Sequence, residues 1–404
     1  MSNNQLEQFR SEVREWLDAN CPASLRTPLT EDQIVWGGSY VEFQSDDQKI
    51  WFEKMRDKGW FAPDWPKEFG GGGLNPDENR VLEQEMRRLK CRVPQINLGI
   101  WMLGPVVLEF GTEEQKKELL IPMTQGKIRW CQGFSEPNAG SDLASLKTSA
   151  VVDGDDFIIN GSKIWTSHGN HSDWIYMLVR TDSTVPKQEG ISFIVLDLRL
   201  PGVTIKPIEM ISGVSHFSQI FFDQVRVPKK NLIGSLNGGW TVAKRLLQFE
   251  RKAMSKFDDG GAPDFNYLSF VKKYLSGPEG EHVTSTIKNS IVAGLMADHA
   301  YKLTTRRAFE EGRAGMNVSG LASSFKYISG ELEKKRLEDV LNMMGYRGLG
   351  WDNSGGYDEF SAEELAFTHR WLVSKTIAIA GGTSEIQLNI IAKRVLGLPD
   401  WEAK

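Results

Sequence analysis

The first third of the chain carries apolar residues at helical spacing. Phe9, Val13 and Leu17 recur every four residues, which places their side chains on one face of a helix. Prolines and glycines over residues 60–73 interrupt this pattern and predict a loop between helices. The spacing therefore predicts an all-helical domain over residues 1–127.

The hydrophobic period changes after about residue 128. Short runs rich in β-branched and aromatic residues, such as 157–159 and 191–196, are separated by turn residues. The dipeptides Asp153 with Gly154 and Asn160 with Gly161 are typical of the tight turns of β-hairpins. We therefore expect a small antiparallel β domain, a barrel or a sandwich.

Helical spacing returns after Gly238 and continues to Leu398, with breaks over residues 258–263 and 346–357. The predicted fold class is therefore α+β and multidomain, with helices before and after a β domain. The predicted domains are residues 1–127, 128–235 and 236–404.

Composition and charge exclude several classes of protein. Apolar residues make up 40% of the chain and charged residues 25%, and the net charge of −5 mixes both signs, so no nucleic-acid surface is expected. Cys21, Cys91 and Cys131 lack the spacing of a metal site or a disulfide framework. A polar N-terminus and apolar runs far shorter than the ~20 residues of a membrane span favour a cytoplasmic protein.

One carboxylate lies within an apolar helical stripe. The helix after Gly239 has one face formed by Trp240, Ala243, Leu247, Glu250 and Met254. An apolar setting is expected to raise the pKa of a carboxyl group, which suits proton transfer near neutrality. Residue types alone leave two interpretations open for Glu250, a structural ion pair (with Arg251, for example) or a catalytic base.

Two loops rich in glycine and hydroxyl groups are further candidates. From residue types alone, the segment 134–142 before the β region indicates a turn. In the segment 381–387, Gln387 follows Ser384 by three residues, which predicts a capping box at a helix start. Free N–H groups at such a start suit an anion, although most capped helices bind none.

Four segments together resemble the acyl-CoA dehydrogenase family. The segment 130–143, Trp-Cys-Gln-Gly-Phe-Ser-Glu-Pro-Asn-Ala-Gly-Ser-Asp-Leu, is similar to the flavin loop of the family. Residues 160–167, 222–234 and 379–387 match its other motifs in order and spacing, from about residue 5 to residue 400. The resemblance implies an N-terminal helical domain, a middle antiparallel β-barrel and a C-terminal four-helix bundle, with FAD as the cofactor.

The resemblance also implies roles for individual residues. Phe134 and Ser135 would lie against the flavin ring, and Trp165 and Ser167 would flank the flavin where its N5 accepts hydride. The remaining implied contacts are Gly140 and Ser141 in the first loop, Ser141 also binding substrate, and Thr383 and Glu385 on the rest of FAD.

Two departures from the family pattern matter. The commonest members carry their catalytic glutamate where this chain has Gly381, and a minority carry it in a segment resembling residues 249–251. Glu250 is therefore the predicted base, and Arg251 is grouped with the predicted substrate-binding residues, where it either supports Glu250 or is structural. The backbone N–H of Gly381, with a flavin hydroxyl, would bind the thioester oxygen. The second departure is the absence of an Arg-x-x-Phe-Gly stretch, whose arginine reaches the neighbouring subunit's FAD in many relatives.

The predicted function is FAD-dependent α,β-dehydrogenation of an acyl-CoA thioester to a trans-2-enoyl-CoA. The subgroup that the chain resembles acts on bulky, branched, alicyclic or dicarboxylic acyl groups, and an electron-transferring flavoprotein is the expected acceptor. The assembly would be a homodimer, a homotetramer or a mixed tetramer with a paralogous subunit. Two alternatives stay open: an acyl-CoA oxidase or flavin monooxygenase on the same fold, and a non-catalytic partner subunit of a mixed dehydrogenase.

Overall fold

A computed structural model describes residues 3–27, 29, 33–257, 267–276, 283–316, 318, 320–352 and 359–399. The chain forms two compact units. Unit 1 comprises Met1–Ile208 and Ser215–Asp264, and unit 2 comprises Glu209–Val214 and Phe265–Lys404. The α+β class, with helices on either side of a β-sheet domain along the chain, is confirmed.

Unit 1 begins with helices whose ends are encoded locally. They are α1 (Asn3–Asn20), α2 (Asp46–Asp57), α3 (Pro76–Arg88), α4 (Gly104–Phe110) and α5 (Glu113–Thr124). Asn75 and Thr112 begin α3 and α5 with capping boxes, which satisfy backbone N–H groups that have no partner within the helix. A π-helical turn, Gly99–Leu103, leads directly into α4.

A buried carboxylate holds α1 against α3. Glu85 accepts hydrogen bonds from Arg14 at 2.9 Å, from Arg88 at 2.6 Å and from Arg10 at 3.2 Å. The Arg14 hydrogen bond, followed by those of Arg88 and Arg10, outweighs burial and lowers the pKa of Glu85 to about 2. The ionised form of Glu85 is therefore favoured by folding.

We expect Glu85→Gln to lower the free energy of unfolding at pH 7 by about 2 kcal/mol, allowing for the exposure of the arginines. The folded pKa lies below the ordinary value of 4.5, so this stabilisation is complete above pH 4.5 and is lost as the pH falls towards 2. Urea unfolding of wild type and variant between pH 7 and pH 3 measures the difference. Glu83→Gln is the control on the same helix, because its ion pair with Arg87 is partly exposed. A pH-independent difference for Glu85→Gln would contradict the assignment.

The middle of the chain forms one eight-stranded sheet. The strands are β1 (Trp130–Gly133), β2 (Ser149–Asp153), β3 (Asp156–Ser167), β4 (Trp174–Arg180), β5 (Ile191–Asp197), β6 (Val203–Ile208), β7 (Phe217–Pro228) and β8 (Leu232–Ile233). Their order in the sheet is β6-β7-β3-β2-β4-β5-β8, with β1 paired to β4. Most pairs are antiparallel, as predicted, but β1 and β2 each pair with β4 in parallel.

The two predicted hairpin turns have different outcomes. The first is confirmed: Asp153 ends β2, and Gly154, with a φ of +59°, begins the tight turn that leads to Asp156 at the start of β3. The prediction of a second turn at Asn160 and Gly161 was wrong, because both residues lie inside β3 at a register shift against β7. The dipeptide forms a bulge there: a Cβ at Gly161 would lie 2.7 Å from the Cα of Thr148.

The helix after the sheet packs on unit 1. Helix α6 (Gly239–Phe257) places Val242, Ala243 and Leu246 in the core of that unit. The break predicted over residues 258–263 lies outside the described residues. Unit 2 contains α7 (Tyr267–Ser276), α8 (Ser285–Arg313), α9 (Leu321–Met344), α10 (Ala362–Ser374) and α11 (Ser384–Ile390).

Candidate active site

The loop after β1 is fixed by a buried ion pair. Lys163 on β3 has no exposed side-chain surface, and its Nζ lies 2.8 Å from Glu136 Oε1 and 3.2 Å from the carbonyl of Phe134. Glu136 also accepts the backbone N–H groups of Lys147 at 2.7 Å and Thr148 at 2.9 Å. The pair therefore joins the loop, β3 and the start of β2.

The loop and β3 are also joined through the backbone. The N–H of Ile164 donates to the carbonyl of Ser135 at 2.9 Å, which brings Ser135 beside Trp165. Gly140 and Ser141 in the same loop are exposed, and no atom lies within 4 Å of a Cβ built on Gly140. The loop therefore presents backbone and hydroxyl groups at an open surface.

The end of β3 is backbone-strained where the resemblance places the flavin. Trp165 and His168 have φ angles of +59° and +50°, in the left-handed region that L-residues other than glycine disfavour by roughly 1–2 kcal/mol each. The strand register shifts between Lys163 and Thr166, next to the Ile164–Ser135 backbone hydrogen bond. Trp165 is 53% exposed, and its ring meets that of Phe217 edge-on at 6.0 Å. The fold therefore holds a large aromatic ring at the surface beside Ser167, which is half-buried.

Phe134 contributes its ring to the core. The ring lies edge-on to Tyr176 and Phe193, at 6.3 Å from each, and those two rings stack at 6.0 Å. The hydroxyl of Tyr176 donates to the sulfur of Met102, in the π-helical turn before α4, at 3.6 Å. Phe134 is buried, and its carbonyl accepts the hydrogen bond from Lys163, so neither its ring nor that oxygen lies at the open surface.

Helix α6 carries Glu250 to this aromatic cluster. Glu250 follows Leu246 by four residues and Ala243 by seven, so it lies on the buried face of the helix, and its Oε2 atom is buried. Burial raises the pKa of Tyr176 well above its usual value, and the charge of Glu250 nearby raises it further. The carboxylate and the Phe134–Tyr176–Phe193 cluster therefore belong to one region of unit 1.

The predicted apolar stripe of α6 is displaced by about one residue. Its most buried members are Val242, Ala243 and Leu246, whereas Trp240 and Leu247 are only half-buried. Glu250 stays on the buried face after this displacement. The side chains of Arg251 and Met254 lie outside the described part of the chain.

Unit 2 contains the second predicted loop. Gly381 and Gly382 have φ angles of +65° and +89°, which explains why both positions are glycine. Lys326 on α9 donates to the carbonyls of Gly382 at 2.7 Å and Ile377 at 3.0 Å, and Gln387 donates to the carbonyl of Gly381 at 3.1 Å. The side chains of Lys326 and Gln387 therefore fix the backbone carbonyls of both glycines.

The helix start after this loop differs from the prediction. The cap is Thr383, whose hydroxyl accepts the N–H of Ile386 at 3.2 Å, and Gln387 turns back to the glycines instead of completing a capping box at Ser384. Helix α11 has only seven residues, so its N-terminus does not by itself indicate an anion site. Glu385 is exposed, and hydrogen bonds from its own backbone N–H and from the Thr383 hydroxyl lower its pKa.

The residues of unit 1 fit a flavin. The half-exposed Trp165 ring offers a flat apolar face, and the open surface at Gly140 and Ser141 offers backbone and hydroxyl groups for polar atoms. Among the described residues, no group of three or more His, Cys, Asp or Glu side chains could hold a metal ion. None of the described helices combines the length and the apolarity needed to cross a bilayer.

Sequence reasoning missed three residues that shape these loops. Lys163 and Glu136 are 27 residues apart, and Lys326 lies more than fifty residues before the loop that it supports. Two apolar residues, Ile164 and Trp165, directly after Lys163 were the available signal of its burial. It is a weak one, because an alternating strand exposes every second side chain.

Comparison with known proteins gives a consistent result over the whole chain. Residues 3–127, 131–225 and 286–396 match, in order, the models described as acyl-CoA dehydrogenase, N-terminal domain, middle domain and C-terminal domain. Acyl-CoA dehydrogenase IpdE1 of Mycobacterium tuberculosis (strain ATCC 25618 / H37Rv) is 31% identical, and the match covers 98% of each chain.

Two solved structures are similar to this chain over nearly its whole length. The structure titled Tcur3481-Tcur3483 steroid ACAD is 27% identical with a TM-score of 0.75, covering 99% of each chain. The ChsE4-ChsE5 complex from Mycobacterium tuberculosis is also 27% identical, with a TM-score of 0.72 and coverage of 99% of each chain.

Proposed function

This chain belongs to the acyl-CoA dehydrogenase family and is an enzyme of that class, and we propose that Glu250 is its catalytic base. The observation that carries the proposal is the position of Glu250 on the buried face of α6, where its Oε2 is buried and its charge acts on Tyr176. A carboxylate in an apolar setting holds a proton more tightly than one in water, which suits removal of a weakly acidic α-proton.

The proposed reaction converts an acyl-CoA thioester to its trans-2-enoyl-CoA. Members of the family are FAD-dependent, and the bound flavin would supply a hydride acceptor. Glu250 would take the α-proton, and the backbone N–H of Gly381 would donate to the thioester oxygen as negative charge develops there. The proposed flavin contacts in unit 1 are Ser135, Gly140, Ser141, Trp165 and Ser167, and Ser141 would also contact the substrate. The proposed FAD contacts in unit 2 are Thr383 and Glu385.

We infer a bulky acyl group as substrate. Gly381 has no side chain, and the nearest atom to a Cβ built there is Lys326 Cε at 4.0 Å, so space remains beside the proposed thioester donor. One similar structure is titled a steroid ACAD. A 26% identical relative from Syntrophus aciditrophicus (strain SB) is named cyclohexane-1-carbonyl-CoA dehydrogenase. These names support alicyclic acyl groups over straight chains.

The experiment is a panel of CoA thioesters assayed with a dye acceptor and with oxygen. We expect kcat/KM for alicyclic or steroid-side-chain esters to exceed that for butyryl- and octanoyl-CoA by about tenfold or more, which is about 1.4 kcal/mol of transition-state binding. Turnover with the dye but not with oxygen would support a dehydrogenase over an oxidase. A preference for straight saturated chains would contradict the substrate proposal, and no turnover of any thioester would contradict the activity.

We also propose that the chain assembles with a paralogous subunit and passes electrons to an electron-transferring flavoprotein. The support for the assembly is the two-component title of the ChsE4-ChsE5 complex, together with the missing Arg-x-x-Phe-Gly stretch; the acceptor rests on the family resemblance alone. Light-scattering mass of the chain alone and after mixing with a paralogue from the same genome tests the assembly. A stable homomeric mass with a full complement of FAD would contradict it.

Introducing a glutamate at the commoner family position is expected to fail. Gly381→Glu in a Glu250→Gln background should recover less than about 1% of wild-type turnover on a bulky ester, a loss of at least about 100-fold. A side chain at a φ of +65° strains the backbone by roughly 1–2 kcal/mol, and it points towards Lys326, whose ammonium would attract the new carboxylate. Steady-state assays measure the recovery, with Gly381→Ala in the same background as the control for strain alone. Substantial activity of the double variant would show that the space at Gly381 is not needed.

A further inference from the structure

We propose that Trp36 is a positioning residue for the flavin, acting through His168. The three residues Trp36, Arg129 and His168 are called here the Trp36 brace. The proposal rests on the proposed function, because it takes Trp165 and Ser167 as flavin contacts. The brace holds one end of the strained segment 165–168, which carries both Trp165 and Ser167.

The brace is built on close ring contacts. The Arg129 guanidinium lies 4.0 Å from the centre of the Trp36 ring, a cation–π distance, and the His168 ring lies 4.3 Å from the same ring. The His216 ring lies 5.6 Å from that of His168, and the N–H of His168 donates to the carbonyl of His216 at 2.7 Å. The His168 side chain and backbone are thus both held.

The segment that carries Trp36 is itself anchored. Asp173 accepts the N–H of Arg129 at 2.8 Å and the N–H of Ser39 at 3.2 Å, so one carboxylate fixes both sides of the cation–π contact. Gly38 approaches so closely that a Cβ there would lie 2.4 Å from Asp173 Oδ2. The position of the Trp36 ring is therefore set by the fold rather than by the ring contacts alone.

Burial, together with the charges around it, keeps His168 neutral. Burial, followed by the charges of Arg129, His216 and His171, lowers the pKa of His168 to about 3. Arg129 stays cationic, although burial lowers its pKa to about 10. The ring stack therefore keeps the same charge state over the pH range in which an enzyme works.

A brace of this kind explains the strain at the end of β3. Two residues with positive φ, Trp165 and His168, bracket Ser167, and the Trp165 ring remains half-exposed. The Lys163–Glu136 pair fixes the side of the segment that precedes Trp165, and the Trp36 brace fixes the side that follows Ser167. Strained backbone persists when its surroundings determine it, and it is common at ligand sites. The Trp36 brace therefore maintains the surface at Trp165 that is proposed to contact the flavin.

The test compares FAD affinity among matched variants. We expect Trp36→Ala to weaken FAD binding about tenfold, which corresponds to about 1.4 kcal/mol, and Trp36→Phe to weaken it less than about threefold, because an aromatic ring is retained. The readouts are titration of flavin-stripped protein with FAD, followed by flavin fluorescence, and the thermal midpoint of the flavin-free form. Both measurements use each variant in the same oligomeric state as the purified wild-type protein.

The control is a second stack in unit 1 that is remote in sequence from β3. Lys58 Nζ lies 5.4 Å from the Trp16 ring, which meets Trp60 at 4.7 Å. Trp16→Ala should lower the thermal midpoint and change FAD affinity less than about twofold. Equal FAD affinity of Trp36→Ala and wild type would overturn the brace while leaving the flavin assignment intact, and a wild-type protein that binds no FAD would overturn the proposed function itself.

A second variant keeps the proposal testable if Trp36→Ala does not fold. His168→Asn removes the ring that contacts Trp36, while asparagine tolerates the left-handed backbone conformation. We expect it to weaken FAD binding about fivefold, or about 1 kcal/mol. Unchanged FAD affinity in this variant would also overturn the proposal.

Discussion

Glu250→Gln is expected to retain FAD and to lose turnover by a factor of about 10²–10⁴, the usual contribution of a general base. Glutamine fills the same volume on the buried face of α6 but has no basic oxygen. The Phe134–Tyr176–Phe193 cluster beside it should keep its packing, because no aromatic contact is removed. Dye-linked turnover and the visible spectrum of the bound flavin measure the two properties separately.

Glu109→Gln is the matched control for this prediction. Glu109 on α4 accepts a hydrogen bond from Arg245 of α6 at 2.7 Å, so it touches the same helix with a carboxylate that is not proposed to act in catalysis. The control should keep kcat within about threefold of wild type, since a partly exposed ion pair contributes about 1 kcal/mol or less to stability. Activity of Glu250→Gln within the same range would remove Glu250 from the mechanism.

Lys163→Met is expected to cause the largest loss of stability among these variants. The substitution leaves Glu136 buried without its ammonium partner, and breaking a buried pair typically costs about 3–5 kcal/mol. Because Glu136 also holds the loop through Lys147 and Thr148, FAD affinity should fall as well. Urea unfolding of the flavin-free protein gives the loss of stability, and FAD titration gives the effect on the loop.

Two comparisons isolate the buried charge as the cause. Adding Glu136→Gln to Lys163→Met removes the charge while keeping an acceptor, and it should recover part of the lost stability. Lys187→Met breaks an ion pair with Asp142 in the same region, but both side chains are mostly exposed, so the expected cost is about 1 kcal/mol or less. A Lys163→Met variant as stable as Lys187→Met would show that the buried pair does not hold the loop.

The outline of the fold follows from local patterns. Helical and strand periods are properties of short stretches of sequence, so the changes near residues 128 and 236 indicated the order of helical, β and helical regions. The capping boxes at Asn75 and Thr112 are local in the same sense. Asn160 and Gly161 show the limit of such signals. Pairing with β7, about sixty residues away, turned an expected hairpin turn into a bulge inside β3.

The candidate base also follows from the sequence, but its surroundings do not. Helix geometry alone placed Glu250 on the apolar face of α6, because residues three, four and seven apart share a face. The contacts of that face come from elsewhere in the chain. Tyr176 on β4 and Met102 before α4 reach the same region only through tertiary packing. The displacement of the stripe towards Val242 and Leu246 is likewise set by the partners of the helix.

The sequence by itself determined the order of the domains, the motif loops and the helix face that carries Glu250, since each depends on neighbours along the chain. Only the tertiary structure decided how those loops are held. Lys163 pairs with Glu136, Lys326 supports Gly382, and Trp36 contacts His168. The members of each pair are more than twenty residues apart in the sequence, so their contact depends on the packing of whole elements rather than on any local preference. The strained backbone at Trp165 has the same origin, because its local cost is acceptable only where distant contacts fix the conformation.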